Sequence, residues 1–248
     1  MRMIVGAGDE RYGWLTNCAQ AAGIVVDGTE EADCAVMPGG GAVPEGLRAG
    51  GLLMVFDAAG LPRWAATRFV VRDLRAHEGL ERANAEMTAE GAISSVMARN
   101  KRALMDSHCL VIGFGRIGYA LNERLVALGA KVTVAVRREA VRRAANQRGA
   151  FSILIEEMGT ILMEQHAIFS TPPELVLDED GLARTREDAL IVDLASPPYG
   201  VDLAAAERMG RAAWREPGLP GRYCPATAGR AMWEAVRQTI EEVRGGDG

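Results

Sequence analysis

The residues best suited to chemistry form a glycine-rich turn near the middle of the chain. The pattern G-F-G-R-I-G directly follows the apolar run HCLVIGF and opens the helical pattern GYALNERLVALG. In such a turn the first glycine permits a tight bend, the second lets the backbone approach a pyrophosphate, and the third lets the helix pack on the strand. The helix N-terminus offers N–H groups to the phosphates. The predicted cofactor-binding residues of the turn are Gly113, Phe114, Gly115, Arg116, Ile117 and Gly118. A glycine-rich turn without a ligand is the alternative.

Two arginines stand where the second strand of such a unit ends. Dinucleotide sites that prefer NAD usually carry Asp or Glu about 20 residues after the glycines, where it bonds ribose hydroxyls. This chain has Val136, Arg137 and Arg138 there. Guanidinium groups bind a 2′-phosphate through paired hydrogen bonds. The sequence therefore favours NADP, with NAD possible; alternatively, Arg137 and Arg138 only begin a solvated basic helix face with Arg142 and Arg143.

Polar residues also follow two later apolar runs, HAIFST and LIVDLA. The carboxyl ends of strands line the ligand crevice of a doubly wound sheet. Thr171 and Pro172 are therefore predicted to contact the cofactor, Asp193 to act as a catalytic base, and Ser196 to bind substrate. For the prolines in these two segments, chain turning is the favoured explanation.

Four further side chains are candidates at other element ends. Arg11, in GAGDER after the first strand, and Arg222, in EPGLPGRYCPATAG, are predicted to hold substrate carboxylates. Thr88 is a predicted substrate contact and Glu90 a second candidate base, both at the start of a predicted helix. A surface salt bridge is the alternative for Arg11, and a capping role is the alternative for Glu90.

Composition limits the class of protein. The chain has 248 residues, 48% hydrophobic and 25% charged, which is typical of a globular protein with room for two modest domains. Its net charge of −5 comes from mixed acidic and basic residues, which argues against nucleic acid or an anionic membrane as partner. No apolar run approaches the roughly 20 residues of a membrane-spanning helix. The four separated cysteines show no ligand spacing, so we expect buried thiols, no metal site and a cytoplasmic location.

Strands that alternate with helices predict an α/β fold with two Rossmann-like parallel-sheet domains, the second a doubly wound dinucleotide-binding domain. In the first third, strands are predicted in MRMIVGAG, GIVVDG, DCAVMPGG, GLLMVFD, RFVVRDL and ERANA. The predicted organisation is a substrate domain at 1–87, a connecting helix at 88–106 with Thr88 as N-cap, and an NAD(P)-binding domain at 107–226. An amphipathic helix at 227–245 is expected to pack back on the first domain.

Four segments, NAEMTAEGAI, GFGRIG, DLASPPYGVD and EPGLPGRYCPATAGRA, together resemble the A-chain family of dipicolinate synthase. The resemblance covers about Asn84 to Val243 and rests before that on GDER. It implies a two-domain protein like the 2-hydroxyacid dehydrogenases that oxidises a small dicarboxylate, dihydrodipicolinate, to dipicolinate for bacterial spores. A nicotinamide cofactor is implied, together with a second, flavoprotein-like chain (the B chain) as partner. The matching positions are Gly8, Asp9, Arg11, Thr88, Glu90, Gly91, Gly113, Gly115, Gly118, Asp193, Ser196, Pro217, Gly218, Gly221, Thr227 and Gly229.

The chain departs from this family at two places. Ala226 stands where the family tends to have lysine, and the segment 28–67 is shorter than usual. If that lysine neutralises a substrate carboxylate, the substrate is in question. An NAD(P)-dependent dehydrogenase or reductase of another small carboxylic acid is therefore an alternative, and so is a non-catalytic protein that binds a nucleotide and regulates a partner. We expect a homo-oligomer in each case.

Overall fold

A computed structural model describes residues 1–26, 31–39, 41 and 43–245. The end of the predicted strand GIVVDG and parts of the segment 28–67, which the sequence predicts to be short, lie outside the described residues. The chain divides into two compact units, one formed by Met1–Asn84 with Pro220–Gly248 and the other by Ala85–Leu219. Each unit is built on one parallel sheet, so the predicted α/β class with two parallel-sheet domains is confirmed.

The strands and helices follow in chain order. They are β1 (Arg2–Val5), α1 (Glu10–Ala21), β2 (Val25–Val26), β3 (Ala32–Met37), β4 (Leu47–Val55), α2 (Ala65–Arg68), β5 (Val70–Asp73), α3 (Glu78–Arg99), β6 (His108–Ile112), α4 (Arg116–Ala127), β7 (Lys131–Val136), α5 (Glu139–Gln147), β8 (Phe151–Leu154), β9 (Ala167–Ser170), α6 (Glu179–Ala183), β10 (Leu190–Asp193), α7 (Leu203–Arg208), β11 (Ala212–Arg215), α8 (Leu219–Tyr223) and α9 (Pro225–Gly245). Short 3-10 helices lie at Ala58–Gly60, Leu74–Ala76, Leu104–Asp106, Ile155–Thr160 and Leu162–Glu164.

The sheet of the first unit has five strands in the order β2-β1-β3-β4-β5. Its strands are rich in apolar residues because both faces are covered, as expected of a parallel sheet. On one face, Leu15 of α1 and Met232 and Val236 of α9 pack into a single buried cluster. On the other face, Leu53 and Phe69 belong to a second buried cluster.

Helix α9 lies directly against α1 because a glycine stands at their closest approach. A Cβ atom at Gly229 would lie 2.4 Å from Cβ of Trp14 and 2.6 Å from the carbonyl oxygen of Arg11. The predicted apolar face of this helix packs into the cluster that also holds Leu15. Its members are Ala231, Ala235, Ile240 and Val243.

The sheet of the second unit has six strands in the order β11-β10-β9-β6-β7-β8. Strands β7 and β8 extend from β6 in one direction, and β9, β10 and β11 extend in the other, which is the strand order of dinucleotide-binding folds. The order reverses between β6 and β9, which are paired from Cys109 with Ala167 to Ile112 with Ser170. The segments that follow these two strands therefore start side by side at the carboxyl edge of the sheet.

The helix that leads into the second unit starts earlier than the sequence predicted. Helix α3 begins at Glu78, so the prediction of Thr88 as its N-cap is wrong, and ERANA is helix rather than strand. His77 fills the capping role, because its Nδ1 accepts a hydrogen bond from the backbone N–H of Leu80 at 3.2 Å. The helix also ends at Arg99 rather than at 106. The five residues of ERANA are too few to distinguish the periodicity of a strand from that of a helix.

Two glycine-to-alanine substitutions should have opposite effects on stability. Gly229→Ala should lower the free energy of unfolding by about 2 kcal/mol, since the added methyl overpacks the α1–α9 contact. Gly13→Ala should raise it by about 0.5 kcal/mol, because Gly13 lies within α1 and its added Cβ meets no atom within 4 Å. Urea unfolding followed by circular dichroism measures both. A Gly229→Ala protein as stable as wild type would contradict the close helix contact.

Candidate functional site

The turn after β6 is built so that only glycine fits its first position. Gly113 has φ of +95°, in the left-handed region, and its N–H donates to the carbonyl oxygen of Ala135 at 2.8 Å. A Cβ atom at Gly113 would lie 2.4 Å from Oγ1 of Thr171. Thr171 is held there because its hydroxyl and its N–H both donate to the carbonyl oxygen of Ile112, at 2.8 and 3.1 Å.

The other two glycines of the turn have different surroundings. A Cβ atom at Gly118 would lie 2.1 Å from the carbonyl oxygen of Gly113, so α4 starts in direct contact with the turn. Gly115 is the N-cap of α4, and a Cβ atom there would meet nothing within 4 Å. The first turn of α4 carries no acidic residue, and the first N–H groups of any helix lack intrahelical partners. These residues fit the pyrophosphate of a dinucleotide, because open space and the positive end of a helix coincide at Gly115.

An open pocket of about 550 Å³ lies beside this turn. It is lined by Gly113, Phe114, Gly115, Val136, Arg137, Arg138, Val141, Ile155, Pro172, Pro173 and Glu174. Four strand ends, those of β6, β7, β8 and β9, thus contribute to one cavity. Of the remaining predicted cofactor residues, Arg116 is exposed at the start of α4 and Ile117 packs against the buried cluster below it.

The arginines after β7 divide into two groups. Arg137 forms an ion pair with Glu174 at the pocket. Arg142 and Arg143, by contrast, pair with Glu139, at 3.2 and 3.8 Å. Arg137 thus faces the pocket, whereas Arg142 and Arg143 pair within α5. Sequence reasoning did not single out Glu174, although its place directly after STPP puts it at a strand end.

Asp193, the predicted base, is fully buried at the end of β10. Its carboxylate accepts hydrogen bonds from the N–H groups of Ala195 at 3.1 Å and of Gly200 at 3.2 Å. Arg215 also approaches it, with 3.5 Å between Nη2 and Oδ2. The oxygens that a base would offer to a proton are thus engaged by donors. These contacts favour a role in fixing the loop after β10.

The loop after β10 is held from both sides. The guanidinium of Arg215 lies 3.4 Å from the ring centroid of Tyr199, a residue with φ of 74°. Gly200 packs so closely on Ser170 that a Cβ atom there would lie 2.2 Å from its hydroxyl oxygen. Ser196 is exposed on this loop, and its carbonyl oxygen accepts from the N–H of Tyr199. Sequence reasoning missed Arg215 and Tyr199, which have no local signal.

The other candidate base, Glu90, lies on an exposed part of α3 and faces Arg124, with 3.4 Å between Oε1 and Nη2. Glu86, one turn earlier, bonds the same arginine at 2.5 Å. Arg124 belongs to the last turn of α4, whereas the glycine turn lies at the first. Glu90 remains a predicted base, but these contacts favour a role in joining α3 to α4. Thr88 is half-buried in the interior of α3.

Arg11 and Arg222, the predicted ligands of substrate carboxylates, both belong to the first unit. Arg11 donates to Asp9 through Nε at 2.8 Å and Nη2 at 2.6 Å, which matches the salt-bridge alternative. These hydrogen bonds lower the pKa of Asp9 below the ordinary value, because they stabilise the carboxylate form. Gly221 lies against this pair, because a Cβ atom there would be 2.9 Å from Oδ2 of Asp9. Arg222 is exposed on α8, beside the ring of Tyr223.

The four cysteines lie in two environments. Cys34 and Cys109 are buried, and burial raises the pKa of each to about 12. Cys18 and Cys224 are partly exposed, so the expectation of buried side chains is right for two of the four. Within residues 1–26, 31–39, 41 and 43–245, no cluster of His, Cys, Asp and Glu could hold a metal ion. The same residues include no helix with the length and apolarity to cross a membrane.

Comparison with known proteins identifies a matching protein family and one homologous protein. Residues 73–197 match the family described as D-isomer specific 2-hydroxyacid dehydrogenase, NAD binding domain. The chain is homologous to the A chain of dipicolinate synthase of Bacillus subtilis (strain 168), with 30% identity over 165 residues. Those residues are 66% of this chain but only 56% of that protein.

Two solved structures share the fold. The A chain of dipicolinate synthase from Bacillus subtilis has a TM-score of 0.86 and 23% identity, over 99% of this chain and 97% of its own. The A chain of dipicolinate synthase from Bacillus halodurans has a TM-score of 0.83 and 20% identity, over 96% and 97%.

Substitutions at two glycines of the turn should separate binding from folding. Gly115→Ala should leave the melting temperature within about 1 °C of wild type and weaken NADPH binding about tenfold or more, because its methyl enters the space at the N-terminus of α4. Gly118→Ala should lower the melting temperature, because its methyl meets the carbonyl of Gly113. Fluorescence titration and thermal unfolding measure the two effects. Unchanged NADPH binding by Gly115→Ala would contradict the site.

A structural role of Asp193 can be distinguished from catalysis by stability. Asp193→Asn should cost about 3 kcal/mol, since the amide places an NH2 group against N–H donors or Arg215 in a buried site. The control is Asp202→Asn, which should change stability little because asparagine caps α7 as well as aspartate does. If Asp193→Asn loses activity at unchanged stability, Asp193 has the catalytic role that the sequence predicted.

Proposed function

The chain belongs to the D-isomer specific 2-hydroxyacid dehydrogenase family through its NAD binding domain, and on that premise we propose that it oxidises dihydrodipicolinate to dipicolinate. The observation that carries this proposal is the 30% identity over 165 residues to a dipicolinate synthase A chain. The match spans 56% of that protein, so the reaction, the cofactor and the partner are all proposed here.

The proposed oxidant is NADP, with NAD as the second choice. A bound nicotinamide would supply the hydride acceptor: the substrate would lose a hydride from a ring carbon and also a proton, giving NADPH, dipicolinate and one proton. The chain's own contribution is to bind and orient. Gly113, Gly115 and Gly118 shape the pyrophosphate site, and Arg137 and Arg138 line the pocket into which a 2′-phosphate would project.

Two arginines of the first unit are proposed to bind the substrate carboxylates. Asp9 occupies the Nε–Nη2 edge of Arg11 and so fixes the plane of the guanidinium. A substrate carboxylate would meet the other edge, which the two Nη atoms form. Arg222 follows Gly221, the residue in contact with this pair, and would bind the second carboxylate.

No strong base is required for the proposed reaction. The product ring is aromatic, which makes loss of the second proton favourable. Asp193 is buried among hydrogen-bond donors, and Glu90 pairs with Arg124. We therefore propose that the proton passes to water rather than to a dedicated carboxylate. A second, flavoprotein-like chain is proposed as the partner, on the strength of the same homology.

One observation favours a second candidate function. Ala226 lies in the first turn of α9, where the resembling family tends to have lysine. The methyl group of alanine cannot neutralise a carboxylate. Oxidation or reduction of a different small carboxylic acid is therefore the alternative.

The test is formation of dipicolinate, followed by its ultraviolet absorbance. Purified protein receives freshly prepared dihydrodipicolinate with NADP or NAD, in the presence and absence of the flavoprotein-like partner. We expect dipicolinate above the spontaneous rate. No product under any condition from a protein that binds NADPH would overturn the dipicolinate proposal and favour the other small acids.

The role of Arg222 is tested in the same assay. Arg222→Gln should raise KM about tenfold with a smaller change in kcat, because a charge-assisted hydrogen bond to the substrate is lost. The matched control is Arg237→Gln on the exposed side of α9, where Arg237 pairs only with Glu234 and Glu241 among the contacts described. Equal kinetics of the two variants would contradict a substrate contact by Arg222.

A further inference from the structure

We propose that Glu174 sets the coenzyme preference of this protein by controlling Arg137. As a carboxylate it holds Arg137 and opposes a 2′-phosphate, so that wild type discriminates only weakly between NADP and NAD. The inference rests on the proposed dinucleotide site but not on the identity of the substrate.

The geometry places one acid among the basic residues of the pocket. Arg137 and Arg138 follow β7, Glu174 follows β9, and all three line the same cavity. Among the residues described as lining it, Glu174 is the one carboxylate. Glu139, also near the end of β7, instead pairs with Arg142 and Arg143 and does not line the cavity.

The ion pair itself is easily opened. The side chains of Arg137 and Glu174 are 56% and 53% exposed, and pairs of that kind contribute little net stability because water screens them. A cofactor phosphate can therefore displace Glu174 from Arg137. The displaced carboxylate remains at the pocket, however, and repels a phosphate that carries nearly two negative charges.

The same carboxylate can serve the other dinucleotide. NAD sites usually supply an acid at the end of the second strand to accept hydrogen bonds from the ribose hydroxyls. That position holds arginine here, but Glu174 reaches the same pocket from β9. A hydroxyl in place of the 2′-phosphate can donate to Glu174 while the pair with Arg137 stays intact.

The test is a set of binding measurements that needs no substrate. Dissociation constants for NADPH and NADH are measured by fluorescence with wild type, Glu174→Gln, Arg137→Gln and the double variant. Glu174→Gln should raise the ratio of NADPH affinity to NADH affinity about fivefold to tenfold, because Arg137 becomes available and a negative charge is lost. In the Arg137→Gln background the same substitution should raise the ratio by a clearly smaller factor, because only the direct effects of the Glu174 carboxylate on the two cofactors are then removed.

Two controls separate this effect from others. Glu139→Gln removes an equal charge from the same strand end, outside the pocket, and should change the ratio less than about twofold. Calorimetry with 2′,5′-ADP and 5′-AMP should reproduce the shift caused by Glu174→Gln, since these fragments carry only the adenosine end. An unchanged ratio in Glu174→Gln, or an equal shift in Glu139→Gln or without Arg137, would overturn the proposal. If folded wild type binds neither dinucleotide, the proposed function fails as well.

Discussion

The contact between the first residues of α4 and the turn after β6 is the constraint on which the second unit depends. The backbone of Gly118 approaches the carbonyl oxygen of Gly113 so closely that no side-chain carbon fits between them. This approach lets the helix begin directly over the carboxyl edge of the sheet. The first turn of α4 then lies beside the cavity lined by four strand ends, with open space at Gly115.

The strand order makes this arrangement possible. Because the order reverses between β6 and β9, the segments after these two strands start side by side and then border the same gap, the pocket beside the glycine turn. Thr171 secures one side of that gap by bonding back to Ile112 with both its hydroxyl and its N–H. Rigid neighbours of this kind would hold a bound dinucleotide in one orientation, and orientation is a large part of what a protein contributes to the chemistry of a cofactor.

Charge is arranged differently at the edge of the site and in its interior. At the pocket, Arg137, Arg138 and Glu174 are solvent-accessible, so their interactions are weak and exchangeable with a ligand. At the end of β10, Asp193 is buried and satisfied by backbone donors and Arg215, so its contacts are costly to break. The accessible charges at the pocket are therefore suited to selecting a ligand, whereas the buried Asp193, together with Arg215, is suited to holding a loop.

Much of the fold follows from sequence alone, because the forces that specify it are local. Alternating apolar runs and helical patterns identified the α/β class, and the spacing of the three glycines identified the turn. The turn can be recognised locally because Gly113 has a left-handed φ, which favours glycine at that one position. The start of α3 was misplaced by ten residues because a short helical segment and a short strand look alike without their neighbours.

Only the tertiary structure decided what the charged residues contact. Arg137 meets Glu174 because β7 and β9 end on one edge of the same sheet, which no local pattern encodes. Asp193, which the sequence offered as a base, is enclosed by the N–H groups of its own loop and by an arginine from the adjacent strand. The sequence determined which residue types were available at the strand ends. Packing of the strands in space determined which of them face each other, and burial determined which ones stay accessible to a ligand.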